Sequence, residues 1–306
     1  MQLTEVKAID FSLSPHYTDG HMMQHHFHFP EFQTMTRTTF AGPMKKMGLK
    51  PGEEWKVAAG SAKTSLAEVI AEMDEVGVDM GVMVAQKIYS QRAQALMVDY
   101  DVNMVNEIVK KAKGRLIGGV SYNPFRIEES LIEIEKAVKE FGFKYVWFHP
   151  ISFGMRPDDR RNYPLYAKCN ELGIPVGMQV GHSAETLTSE PGHPMTVDNV
   201  AIEFPNLKII LTHTGYPWID EWCSMIWRNP NVYGMLNAYF PSAYEPATLK
   251  FINSPRGRDK VCTGSHAFGL KRWKQEFCDL DIKEENKKKI LRDNALKILG
   301  LPADAK

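Results

Sequence analysis

Apolar runs and amphipathic stretches take turns along this chain from one end to the other. The first run, EVKAIDFSL, is short and mostly apolar, as suits a buried strand. Residues 14–63 then follow without a clear period, and a connection of that length predicts a covering loop over a binding site. SLAEVIAEMDEVG opens a helix: Ser65 and Glu68 form a capping box, Leu66, Val69, Ile70 and Met73 an apolar stripe, and Gly77 the stop. DMGVMVA is the next strand, followed by a helix over 100–113 and the strand RLIGGVSYN.

The alternation continues. A helix over 127–141 lines up Ile127, Leu131, Ile134, Val138 and Phe141 and ends at Gly142. KYVWFHP, IPVGMQVGH, LKIILTHTG, NVYGMLNAY and KVCTGSH are the later strands. Helices over 162–172, 195–204, 218–228, 245–253 and 284–299 separate or follow them. Strands and helices alternating in this way predict an α/β protein, a single (β/α)8 TIM barrel with a long first βα loop. A doubly wound open sheet is the other arrangement, but no Gly-x-Gly-x-x-Gly follows the first strand. With no linker and no further repeat, 1–306 is expected to be one barrel domain, with 14–63 as an active-site loop or lid.

Composition narrows the function classes. The 306 residues are 43% hydrophobic and 24% charged, an ordinary globular balance with a sizeable core. Lys plus Arg and Asp plus Glu both number 37, so bulk charge favours neither nucleic acid nor an anionic membrane as partner. Cys169, Cys223, Cys262 and Cys278 are widely spaced and suggest no disulfide framework. No signal peptide and no long apolar span are evident, so a soluble, cytoplasmic protein acting on a small molecule is expected.

In such a barrel the loops after the strands build the pocket. The strand ends here carry Asp10, Ser12 and Ser14, then His149, Gln179 and His182, His213, Asn237, and finally Ser265 and His266. Several histidines converging on one mouth point to acid–base or metal chemistry. Five of the ten histidines (His16, His21, His25, His26 and His28) sit in the first loop. They read as a substrate-covering loop, as part of a relocated metal site, or as surface decoration.

Five segments carry a resemblance. AIDFSLS stands where the amidohydrolase superfamily has Ile-Asp-x-His-x-His, and GIPVGMQVG where it has Gly-x-Pro-Val-x-x-His-x-Gly. FPNLKIILTHTGYPW matches its sixth strand, KVCTGSH occupies its Gly-Ser-Asp strand, and KKKILRDNALKILGL matches its closing helix. The chain therefore resembles the second amidohydrolase family: decarboxylases, hydratases and lactonases acting on small carboxylated substrates. That resemblance implies a divalent metal held by two histidines of strand one, one of strand five and an aspartate of strand eight. Those slots read Ser12, Ser14, Gln179 and His266, and only His213 is retained. Hydroxyls and an amide are weak zinc ligands.

The family also includes the 2-pyrone-4,6-dicarboxylate lactonases, which hydrolyse a lactone without a metal. The expected function is thus a metal-independent hydrolase or carbon–carbon lyase of decarboxylase type, acting on a small cyclic or aromatic carboxylate or lactone. His213 is expected as acid–base, His266 as its partner, Gln179 as a hydrogen bonder, and Asp10 as an orienter of a pocket histidine. Ser12, His16, His149, His182, Tyr216 and Asn237 are expected to bind substrate, Tyr216 in an aromatic wall with Trp147, Trp218 and Tyr239. Arg156, Lys87 or Arg92 would clamp a carboxylate. Two readings stay open beside this one. One is a divalent-metal enzyme, zinc in particular, with a relocated site built from His213, His266 and His16. The other is a catalytically silent barrel that binds a metabolite or supports a partner subunit. A homo-oligomer is expected by analogy with the family.

Overall fold

The structure, a computed structural model, describes residues 1–50, 52–266 and 269–305. Eight parallel strands are hydrogen-bonded in chain order: β1 Ala8–Leu13, β2 Val78–Ala85, β3 Leu116–Ser121, β4 Tyr145–Phe148, β5 Val176–Gln179, β6 Ile209–Thr212, β7 Val232–Leu236 and β8 Val261–Thr263. The sheet curls until β8 lies beside β1, which makes it a TIM barrel, as the alternation predicts. The strands are buried along nearly their whole length, because the outer face packs under helices and the inner face fills the barrel.

Side chains rather than a backbone ladder hold the β1/β8 seam. Asp10 Oδ1 accepts from the backbone N–H groups of Ser12 (3.0 Å) and Ser265 (2.9 Å), and Oδ2 accepts from Ser265 Oγ at 2.5 Å. Gly264 is required there: a Cβ on it would lie 2.7 Å from Ser12 Cβ and 2.8 Å from Asp10 Oδ1. Asp10 is therefore a fully buried clasp, its carboxylate bonded to Ser12 and Ser265.

The helices follow their apolar stripes. Leu66–Val76 begins where Ser65 Oγ accepts from the Glu68 N–H at 3.4 Å, buries Val69, Met73 and Val76, and stops at Gly77 with φ 70°. Ile127–Lys139 ends two residues before the predicted 141, and Gly142 then turns with φ 72°. The closing segment predicted as one helix over 284–299 is helical throughout, but residues Lys289–Asp293 form a wider π turn. Beyond that turn, Asn294 Nδ2 donates to the carbonyls of Arg258 (2.9 Å) and Val261 (2.7 Å), tying the helix to β8.

Two regions differ from the sequence pattern. Residues 14–63 are not a plain loop; they form short helices, among them Met23–His26, Pro30–Thr38 and Ala41–Met47. Glu31, buried on the second of these, accepts from Ser90 Oγ (2.9 and 3.0 Å) and the Arg92 N–H (3.2 Å). Its partner is an antiparallel hairpin, Lys87–Ser90 with Ala95–Asp99, which the apolar pattern does not reveal. The pattern also omits a helix, Leu270–Asp279. Among the described residues, no helix is long and apolar enough to cross a membrane.

Candidate active site

Three strand ends place the central group. β6 leads into His213, β7 into Asn237 and β8 into His266, while Ser12 comes from β1. The chain bends sharply after these strands. His213 (φ 72°), Thr214 (φ 60°), Ala238 (φ 65°) and His266 (φ 53°) all take left-handed conformations that non-glycine residues disfavour. Such local cost concentrates where the surrounding structure dictates a side-chain position.

Asn237 organises the group. Its Oδ1 accepts from the backbone N–H of His213 at 2.9 Å, which fixes the amide orientation. Its Nδ2 then donates to Ser12 Oγ (2.9 Å) and His266 Nδ1 (3.2 Å), and Ser12 Oγ lies 3.3 Å from the same nitrogen. With Nδ1 accepting, the neutral His266 ring carries its proton on Nε2. His213 takes the opposite form. Thr212 Oγ1 donates to the Met178 carbonyl (3.2 Å), so at its 2.9 Å contact with His213 Nδ1 the hydroxyl accepts. His213 Nδ1 thus holds the proton and Nε2 the lone pair.

A second network lies alongside. His149 Nδ1 accepts from the Ser152 N–H at 3.0 Å, so its Nε2–H faces Ser183 Oγ at 3.3 Å. Gln179 Nε2 donates to the same hydroxyl at 3.2 Å, and Ser183 Oγ donates onward to Glu185 Oε2. Ser183 is therefore not activated as a nucleophile by His149, which is a donor here. Glu185 reaches the central group electrostatically, favouring the charged form of His266.

Burial dominates the protonation states. It pushes His213 well below its ordinary value, His149 down to about 3 and His266 down to about 4, with the neighbouring imidazoles lowering His213 further. His16 is pushed down to about 3 by burial and by His26 and His266. Its Nδ1 stands 3.5 Å from Tyr100 Oη.

The remaining candidates spread outward. His182 is exposed on the rim, with Nδ1 2.6 Å from Ser189 Oγ and its ring near Tyr216 and Trp218. Tyr216 is 41% exposed and approaches Tyr239. Arg156 is not brought to the histidines: it is exposed, and its guanidinium makes two 3.1 Å bonds to Asp158. Lys87 is tied to Asp99 (2.9 Å) and Glu133 (3.4 Å) in a separate groove beside the hairpin. Arg92 is exposed in the hairpin turn.

Residues 24–301 match the family model described as Amidohydrolase. The chain belongs to the amidohydrolase family. An uncharacterized TIM-barrel protein of Bordetella bronchiseptica has 25% identity to this amidohydrolase and a TM-score of 0.74, over 96% of this chain and 99% of that one. A 5-carboxyvanillate decarboxylase from Sphingomonas paucimobilis shares the fold at 15% identity and TM-score 0.68, over 97% and 100% of the two chains. A dihydroxybenzoic acid decarboxylase from Polaromonas sp. JS666, with bound manganese and the inhibitor 2-nitroresorcinol, shares it at 17% identity and TM-score 0.63, over 98% and 97%. Among curated proteins, no sequence matches the chain significantly.

The donor set of this amidohydrolase does not fit the divalent ion that the family implies. Ser14 Oγ donates to Gln86 Oε1 at 2.7 Å, Ser12 Oγ receives Asn237, and His266 Nδ1 is occupied by Asn237. Among the described residues, no three His, Cys, Asp or Glu side chains are grouped so as to share an ion, and His213, His266 and His16 do not form such a group. Ser183 and Glu185 are the site residues that strand-end reasoning misses. They lie within the loop after β5, and the only sequence signal is a Ser-x-Glu directly behind His182.

Proposed function

We propose that this amidohydrolase is an acid–base enzyme, a hydrolase or carbon–carbon lyase acting without a metal on a small cyclic or aromatic carboxylate or lactone. The observation that supports it is the pair of complementary imidazoles, His213 with a lone pair on Nε2 and His266 with a proton on Nε2, lining one cavity. A neutral imidazole that donates is a carbonyl-polarising group, and one that accepts is a base.

In hydrolysis, water adds its oxygen to the carbonyl carbon while its proton passes to His213 Nε2. The Nε2–H of His266 stabilises the oxyanion. Collapse breaks the carbon–oxygen ring bond, and His213 returns the proton to the leaving oxygen. In decarboxylation, the bond from the ring carbon to the carboxylate would break to release carbon dioxide, and the Nε2–H of His266 would supply the proton that takes its place on the carbon.

The cavity is lined by Phe11, Tyr145, Trp147 and Gln86 together with the histidines, and it encloses about 10 Å³. That is room for roughly one water. Admitting a ring therefore requires the cavity to open, and this reading assigns that movement to the segment over 14–63 as a lid on one barrel domain. A soluble, cytoplasmic homo-oligomer with no nucleic-acid or membrane partner completes it. Turnover of a panel of lactones and aromatic acids by His213→Ala and His266→Ala tests the reading. Loss in both supports it, and full turnover by both overturns it.

A further inference from the structure

A groove of about 600 Å³ lies between the hairpin, Lys87–Ser90 with Ala95–Asp99, and the helix Ile127–Lys139. It shares no lining residue with the cavity of about 10 Å³ around His213 and His266. The larger volume is that of a site for a small organic molecule. One wall is aromatic. Tyr89 and Phe125 meet with their ring centroids 4.9 Å apart, and Phe125 keeps 43% of its surface exposed. Rings placed this way offer a face to another ring or to a cation.

A second wall holds a spare donor. Asn123 is only 9% exposed, and its Oδ1 accepts from the Phe125 N–H at 2.9 Å, which fixes the amide. Its Nδ2 has no hydrogen-bond partner among the described residues, so this lining residue is open to an acceptor from a bound molecule. The charge of the groove is uneven as well. Asp99, Glu129 and Glu133 face Lys87 and Arg126, three carboxylates against two cations. Lys87 is shared by Asp99 Oδ1 (2.9 Å) and Glu133 Oε2 (3.4 Å), and Arg126 stands 3.4 Å from Glu129. Burial pushes the Glu133 carboxyl up, and Asp99 and Asp101 push it further, against the pull of Lys87. A further cation beside this pair would relieve that excess.

We propose that this groove is a second binding site, for a small aromatic ammonium compound that carries a carbonyl group. The ring packs on Tyr89 and Phe125, the carbonyl accepts from Asn123 Nδ2, and the ammonium joins Asp99 and Glu133. The site is independent of the acid–base pair in the barrel. It is nonetheless joined to the 14–63 segment through the hairpin. Gln86, just before the first hairpin strand, lines the inner cavity and accepts from Ser14 at 2.7 Å. Ser90 and Arg92, at the hairpin turn, hold Glu31. A ligand that clamps the hairpin against the helix therefore steadies the surface on which Pro30–Thr38 is docked.

Three probes of similar shape test the site by calorimetric titration of the whole protein at pH 7.5: 4-(aminomethyl)benzamide, 4-methylbenzamide and 4-carbamoylbenzoate. The ammonium probe is expected to bind more tightly than the neutral one by about tenfold, and the anion most weakly. Phe125→Ala and Asp99→Asn, both at exposed positions, should each weaken the ammonium probe several-fold, while His213→Ala leaves its affinity unchanged. No binding of the ammonium probe, equal affinity for all three, or tighter binding of the anion overturns the proposal. So does a loss caused by His213→Ala and not by Phe125→Ala, which would place the probe in the barrel. With the probe bound, amide hydrogen exchange over Pro30–Thr38 is expected to slow, and unchanged exchange overturns the link to that segment.

Discussion

The rings of His213 and His266 meet edge to face, their centroids 4.8 Å apart and their planes at 82°. Asn237 holds both, one through its backbone N–H and the other through Nδ1. The two rings therefore present the same nitrogen, Nε2, in opposite protonation states from a shared anchor. Replacing His213 with alanine removes the lone pair that accepts the proton. A loss of about 10²–10⁴ in kcat is expected, the usual worth of a positioned general base. His266→Ala is expected to lower kcat as well, by withdrawing a donor whose interaction strengthens as charge develops. Steady-state kinetics on a turned-over lactone decide it, and a change confined to KM in both variants contradicts the assignment.

Asn237→Asp tests the anchor itself. The substitution keeps the acceptor for His213 but replaces the donor to His266 Nδ1 with a carboxylate oxygen. His266 must then protonate Nδ1, by changing tautomer or by becoming an imidazolium. Nitrogen-15 shifts of the labelled histidines are expected to show that change, with kcat falling while the fold persists. Unaltered His266 shifts are incompatible with the bond described here.

Much of this arrangement is legible in the chain because barrel strands are apolar runs and their flanking helices carry 3.6-residue stripes. His213, Asn237 and His266 stand directly behind such runs, so strand-end reasoning finds them. The helices of 14–63 are harder to see, since each is short and held by tertiary partners such as the Glu31–Ser90 bond. Ser183 and Glu185 lie in a loop, where no period marks an inward position. Asp10 is visible as a strand residue, but its job depends on Ser265, 255 residues away in sequence.

That seam makes a stability prediction. Asp10→Ala removes the acceptor of two backbone N–H groups and one hydroxyl and leaves them buried. Each unsatisfied donor costs about 1–3 kcal/mol, so a loss of several kcal/mol is expected in urea denaturation. Asp10→Asn retains one carbonyl acceptor and should lose less. Wild-type stability in Asp10→Ala is the outcome that would remove the clasp.

The buried histidines fix the direction of the pH response. Folding lowers His149 from 6.5 to about 3 and His26 from 6.5 to about 4, chiefly by burial. Below pH 6.5 the unfolded chain takes up protons that the folded chain refuses, so stability present at neutral pH is lost on acidification. The slope is about 1.4 kcal/mol per pH unit for each such group, and it continues until the folded value is reached. Thermal midpoints are expected to fall steadily from pH 6.5 to pH 4.5. His26 packs against Phe32 and Tyr100, and its Nδ1 has no hydrogen-bond partner among the described residues. His26→Phe should therefore make the fall shallower, and identical slopes would show that His26 is not the group responsible. Activity, in contrast, should stay flat between pH 6.5 and 8, because His213 remains a neutral base throughout that range.

Metal content is the last discriminating measurement. The slots where the family holds its ion are occupied by Ser12, Ser14, Gln179 and His266, whose side chains are engaged with Asn237, Gln86 and Ser183. Binding manganese or zinc there would break several of these bonds and bring no carboxylate into the shell in return. Elemental analysis of protein purified without chelator is expected to give less than about a tenth of an equivalent of either metal, with no rate increase on supplementation. His266→Asp supplies the family's ligand at that position. Alone it should not restore binding, because Ser12, Ser14 and Gln179 still stand where stronger ligands are needed. One equivalent of tightly held metal in the wild-type protein, with activity lost on chelation, would instead favour the relocated-metal reading over the imidazole pair.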